Sequence, residues 1–91
     1  MRPTATNRIL GLDLEPVHPF VNVNTAGVEE LMRLPGVGVR LAEEIIRHVN
    51  IHGPFQEREG LLRVHGINQR KYWDMKCWVA TSGPTTLKEK P

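Results

Sequence analysis

The stretch Leu34-Pro35-Gly36-Val37-Gly38-Val39-Arg40 separates two apolar runs of helical period, Val28 to Leu34 and Leu41 to Val49. Pro35 disfavours helix at the residue before it and so ends the first run at Leu34. Gly36 and Gly38 admit positive φ, and without side chains they let another molecule reach the main chain. The first N–H groups of the following helix have no intrahelical partner and carry the positive end of its dipole. The spacing therefore predicts a tight hairpin between two helices, with a glycine-cleared helix start suited to an anion, a phosphate above all.

Ninety-one residues make one small domain. The formal net charge is only +2, so no polybasic tail drives binding, while a sequence pI near 9.0 fits a local basic surface. The lone Cys77 cannot close an internal disulfide. No apolar run reaches the roughly 18 residues of a membrane helix, and residues 1–14 lack the apolar core of a signal peptide. As written, the chain reads as soluble and cytoplasmic.

Residues 1–20 carry Pro3, Pro16 and Pro19 and read as an extended arm, whose Leu10, Leu12 and Leu14 either lie on the domain or dock a protein. Val21-Asn22-Val23-Asn24-Thr25 alternates and reads as extended, with Asn24 and Thr25 placed to bond the free amides of the first helix. Gly27 is the expected N-cap, and Glu30 reaches back as half of a capping box. Val28, Leu31, Met32 and Leu34 form the apolar face of this helix, and Leu41, Ala42, Ile45, Ile46 and Val49 that of the next. Gly53-Pro54 stops the second helix, and Phe55 is expected buried. A third helix is expected over about 57–63. A fourth is expected from Gln69 to about Val79, with Tyr72, Met75, Trp78 and Val79 in the core. Residues 81–91 read as a solvated tail.

Shifted by thirty residues, the chain lies on itself. Leu31 falls on Leu61, Leu34 on Val64, Gly36 on Gly66, Val37 on Ile67, Gly38 on Asn68, Arg40 on Arg70, Ile45 on Met75 and Val49 on Val79. This is a duplicated helix–hairpin–helix unit. Each copy has an apolar face that it cannot bury alone. The expectation is an all-α fold in which two helix–hairpin–helix units pack as a compact four-to-five-helix domain over residues 21–80, close to the smallest size that folds without staples.

Val21-Asn22-Val23-Asn24-Thr25-Ala26, Leu34-Pro35-Gly36-Val37-Gly38, Gly53-Pro54-Phe55 and Val64-His65-Gly66-Ile67 resemble the tandem helix–hairpin–helix domain, especially the DNA-binding domain of the ComEA type found in bacterial competence. The resemblance covers about two-thirds of the chain. It implies two hairpins related by a pseudo-two-fold axis, sitting on sugar-phosphate backbones with little regard for sequence. Carried over, the first site comprises Gly36, Val37, Gly38, Val39 and Arg40. The amides of Gly36, Gly38 and Val39 hold a phosphate there, and Arg40 supplies charge. In the second unit Gly66, Ile67, Asn68 and Gln69 take the matching places, with Arg70 and Lys71 as cations. Main-chain donors and cations of this kind position a duplex without reading its bases. Asn68 departs from the family's glycine, and its side chain could crowd a phosphate.

Each glycine hairpin could instead merely connect helices. Duplication and flanking cations favour DNA contact, since the first turn of a helix disfavours cations unless an anion is near. Trp73 lies one step off the buried stripe. Burial against the arm is the default for it, with base stacking or a protein surface as alternatives. His48 and His52 stand i, i+4 without a third metal ligand, so solvent exposure is expected for both and no metal or other cofactor is assigned. Cys77 reads as a small apolar residue. The sequence offers no nucleophile–base pair or paired carboxylates, so catalysis finds no support. The competing function is a protein–protein module of a larger assembly, through the arm or Trp73. A targeting domain of a DNA-processing enzyme is a third.

Overall fold

A computed structural model describes residues 19–88. The chain enters through a two-residue strand, β1 (Val21–Asn22), and continues into a short helix, α1 (Val28–Leu31). The first hairpin leads to the longest element, α2 (Val39–His52). A 3-10 helix, Arg58–Arg63, precedes the second hairpin and α3 (Gln69–Met75). A second 3-10 turn, Lys76–Trp78, passes into β2 (Val79–Ala80). The described part is mostly helical, with four helices around one core and a parallel β1–β2 pairing, Val21 opposite Val79 and Asn22 opposite Ala80.

The apolar stripes read from the sequence meet in that core. Leu31, Leu34, Val37, Ala42 and Ile45 from the first half face Leu61, Val64, Ile67, Tyr72, Met75 and Val79 from the second, all buried. Phe55 is buried as expected. Gly53, at φ 87°, ends α2 in a conformation that L side chains rarely adopt, and its N–H bonds the Val49 carbonyl at 2.9 Å. Gly60 brings the 3-10 helix onto the Phe55 ring, where a Cβ would stand 2.9 Å from Cδ1.

Several expectations are corrected. The helix expected over 57–63 is a 3-10 helix. The fourth helix stops at Met75 rather than near Val79, because Val79 and Ala80 are drawn into pairing with β1. The small sheet qualifies the all-α expectation. Asn24 and Thr25 do not cap α1. Half of the capping box is present, Glu30 Oε1 accepting from Gly27 N–H at 3.3 Å, since glycine has no side chain to complete it.

The two asparagines instead stitch distant segments. Asn24 Oδ1 accepts from Phe55 N–H at 2.7 Å, and its Nδ2 donates to the carbonyls of Phe55 at 3.0 Å and Thr81 at 2.9 Å. Asn22, the buried polar residue of the core region, accepts from Asn24 N–H and donates to Gly83 O. Residues 81–88 are not the solvated tail expected. Thr85 and Thr86 hydroxyls accept from the N–H groups of Asn22 and Phe20, the amides of Thr86 and Leu87 donate to Phe20 O, and Leu87 is buried. Arg33 closes this seam, donating to the Leu87 carbonyl at 2.9 Å. The expectations for the arm up to residue 18 and for residues 89–91 lie outside the described residues.

Candidate nucleic-acid interface

Gly36 adopts φ 78°, as the hairpin requires, and no neighbouring atom lies within 4 Å of where its Cβ would stand. Gly38 does not use the freedom expected of it. It is the N-cap of α2 at φ −101°, ψ −171°, extended backbone open to any residue. The space beside it is likewise empty to 4 Å. What its missing side chain achieves is therefore clearance rather than backbone conformation. The first helical hydrogen bond runs from Ala42 N–H to the Gly38 carbonyl, and no side chain caps the turn before it. The amides of Val39, Arg40 and Leu41 thus lack intrahelical partners at the start of a fourteen-residue helix, whose dipole favours an anion beside them. The Val37 side chain is fully buried and anchors the loop from below. Arg40 is exposed and makes no ion pair among the described residues.

The second hairpin repeats this backbone. Gly66 has φ 100°, and Asn68 stands at φ −100°, ψ −179°, within a few degrees of Gly38. The substitution of Asn for Gly is therefore unstrained. The Asn68 side chain turns back, and Oδ1 accepts from Lys71 N–H at 2.8 Å. It consumes one amide that the first hairpin leaves free. Ile67, like Val37, is buried below its loop. Gln69 and Arg70 are exposed. Arg70 Nε lies 3.5 Å from Asp74 Oδ2 in an exposed i, i+4 pair, an arrangement that solvent largely screens.

The two loops lie side by side and touch reciprocally. Leu41 Cδ1 packs against Gly66, 3.2 Å from where a Cβ would stand. Lys71, thirty residues after Leu41, reaches Gly36, thirty before Gly66, its Nζ donating to the carbonyl at 3.4 Å. The cleft between them is lined by Arg40, Leu41, Glu43, Glu44, His65 and Lys71. Its lining is mixed in charge, with Glu43 and Glu44 beside Arg40 and Lys71, and the two carboxylates disfavour deep entry of a polyanion.

Other side chains are placed differently from the expectation. Trp73 is 66% exposed rather than buried, with Lys76 Nζ 3.8 Å from its ring centroid. Cys77 is exposed. His48 is half-buried, stacked on Phe55 at 4.8 Å, with its Nδ1 buried and without a partner, while His52 is exposed 4.6 Å from it. Burial first, and then the nearby His52 and Arg63, hold the His48 pKa below its usual value. Among the described residues no group of three His, Cys, Asp or Glu is placed to hold a metal, and no helix is long and apolar enough to cross a membrane. The Asn68 cap agrees with the capping tendency of asparagine at a helix start. The Lys71–Gly36 contact escapes sequence reasoning, because the thirty-residue offset pairs Lys71 with Leu41 and says nothing of how the two loops touch.

Comparison with known proteins follows the same residues. Residues 18–79 match the model of the helix-hairpin-helix motif. The chain is 41% identical over 60 residues to ComE operon protein 1 of Bacillus subtilis, which covers 66% of this chain and 29% of that protein. It is 42% identical over 53 residues to endonuclease/exonuclease/phosphatase family domain-containing protein 1 of Rattus norvegicus, covering 58% of this chain and 9% of that one. An uncharacterized protein of Haemophilus influenzae is 40% identical over 50 residues, 54% of this chain and 45% of its own. The chain thus spans less than half the length of each of these three relatives. With the family match extending from before β1 into β2, this chain belongs to the helix-hairpin-helix family.

Proposed function

We propose that this domain binds DNA without regard to sequence, with two related hairpin units set against the sugar-phosphate backbone of a duplex. The observation that carries this reading is the start of α2. No side chain caps its amides, no described atom lies within 4 Å of a Cβ placed on either glycine, and Arg40, without an ion pair among the described residues, stands beside them. Such a group of donors holds phosphate oxygens and has no means of reading a base edge. The reciprocal contacts Leu41–Gly66 and Lys71–Gly36 support a pseudo-two-fold pair of units. Likeness to ComE operon protein 1 supports a role in competence-type DNA handling. The site consists of amides and cations, which grip an anion and supply neither nucleophile nor base, so the domain acts as a binding module.

The test is a salt series of duplex binding. Non-specific affinity in the range of about 10⁻⁶–10⁻⁴ M is expected at physiological salt, steepening by about 0.9 in the logarithmic slope for each phosphate neutralised. Arg40→Glu with Arg70→Glu changes only exposed side chains, and should abolish measurable binding while leaving the fold intact. Unchanged affinity or an unchanged salt slope in that variant refutes the proposal.

A further inference from the structure

The two halves of the domain differ on one face. Glu43 lines the cleft beside Arg40; thirty residues on, the same position is Trp73, the most exposed large apolar side chain among the described residues. Arg70 precedes it by three residues and Lys76 follows by three, so on α3 and its continuation the ring stands between two cations. Arg70 is 84% exposed and, among the described residues, engages only Asp74, itself half-exposed. An indole plane flanked by long-stemmed cations matches a nucleotide: the ring takes the base and the cations take the phosphates on either side. With Lys76 over the ring, two-thirds of Trp73 is still exposed, so a ring surface is open to a base and the flexible lysine is free to swing to a phosphate.

The same half of the molecule has given up part of its phosphate grip, because Asn68 occupies the Lys71 amide. We propose that Trp73 stacks on an unpaired base, so that the domain prefers DNA in which a single-stranded segment adjoins a duplex. The inference rests on the DNA-binding reading above and adds a substrate class to it. The first hairpin holds the backbone, and the second unit exchanges a phosphate contact for an aromatic platform.

The experiment uses the full chain, a blunt duplex and the same duplex with an eight-nucleotide thymidine overhang. Binding is followed by polarisation of labelled DNA and by tryptophan fluorescence. The overhang should bind about tenfold more tightly, as one stacked base implies, and should quench the fluorescence. Trp73→Ala, at an exposed position, should bind blunt duplex within twofold of the parent and lose both the preference and the quenching. Trp73→Phe should keep part of the preference. If the parent binds both DNAs equally, or if Trp73→Ala retains the preference, the stacking inference is overturned and the hairpin reading survives. If neither DNA binds, both fall. If Trp73→Ala instead abolishes self-association in sedimentation and leaves DNA binding untouched, the surface belongs to a protein contact and the inference is likewise overturned.

Discussion

Replacing Gly38 with asparagine separates what the first hairpin contributes to stability from what it contributes to binding. Asn68 is the natural control. It has nearly the same φ and ψ, caps an amide at 2.8 Å, and begins an equivalent helix. A Cβ at residue 38 meets nothing within 4 Å. Gly38→Asn should therefore gain a few tenths of a kcal/mol from capping and about 0.4–1 kcal/mol from a less free unfolded chain. Together these give about 1 kcal/mol, or a rise in Tm of about 4–8 °C for a domain of this size. The new side chain would accept from Leu41 N–H, as Asn68 does from Lys71, and would fill the clearance beside Val39. Losing a charge-assisted hydrogen bond costs about 1.5–3 kcal/mol, roughly tenfold to hundredfold in affinity. Thermal unfolding by circular dichroism and polarisation binding to a blunt duplex measure the two effects on one protein. A more stable variant with undiminished affinity would refute the assignment of the α2 amides to phosphate. A less stable one would refute the equivalence of the two N-caps.

Gly36→Ala puts a side chain at φ 78° with room around it, so the cost is backbone strain, about 1–2 kcal/mol in chemical denaturation. Asn24→Ala removes three hydrogen bonds that join Phe55 and Thr81 to the first turn; a loss of about 3 kcal/mol is expected, and a loss under 1 kcal/mol in urea unfolding would show that water replaces the amide. The folded pKa of His48 lies below its unfolded value, so the unfolded chain binds more protons in acid. Its contribution to stability is complete above about pH 6.5 and is lost as pH falls toward the lowered value. His48→Phe, which keeps a ring on Phe55, should flatten that part of the stability–pH curve.

Much of this architecture was legible in the sequence, because its signals are local. The i, i+3/i+4 stripes placed Leu31, Ala42, Ile45, Tyr72 and Met75 in the core. The stop at Gly53 and the hairpin turn at Gly36 follow from the positive φ that glycine accepts most readily. Of the two roles expected of Gly38, clearance stands and positive φ does not, because residue type alone does not say which of them a glycine serves. Asn24 reads as a helix cap because caps are near in sequence, whereas its partners lie 31 and 57 residues away. Trp73 was correctly placed off the buried stripe, but what covers such a ring is a tertiary fact. Leu87, alone in a polar segment, carries no periodicity to announce its burial.

The seam in which Thr85, Thr86 and Leu87 bind Asn22 and Phe20 has a topological consequence. The two ends of the described part meet at one spot, so residues 19–88 can be carried as an insertion in a longer polypeptide without prying its host apart. Tension applied between residues 19 and 88 would load that clasp before it reached the hairpins. Joining the two extremities with a short linker and opening the chain elsewhere, in an exposed turn such as residues 56–57, should yield a circular permutant that still folds.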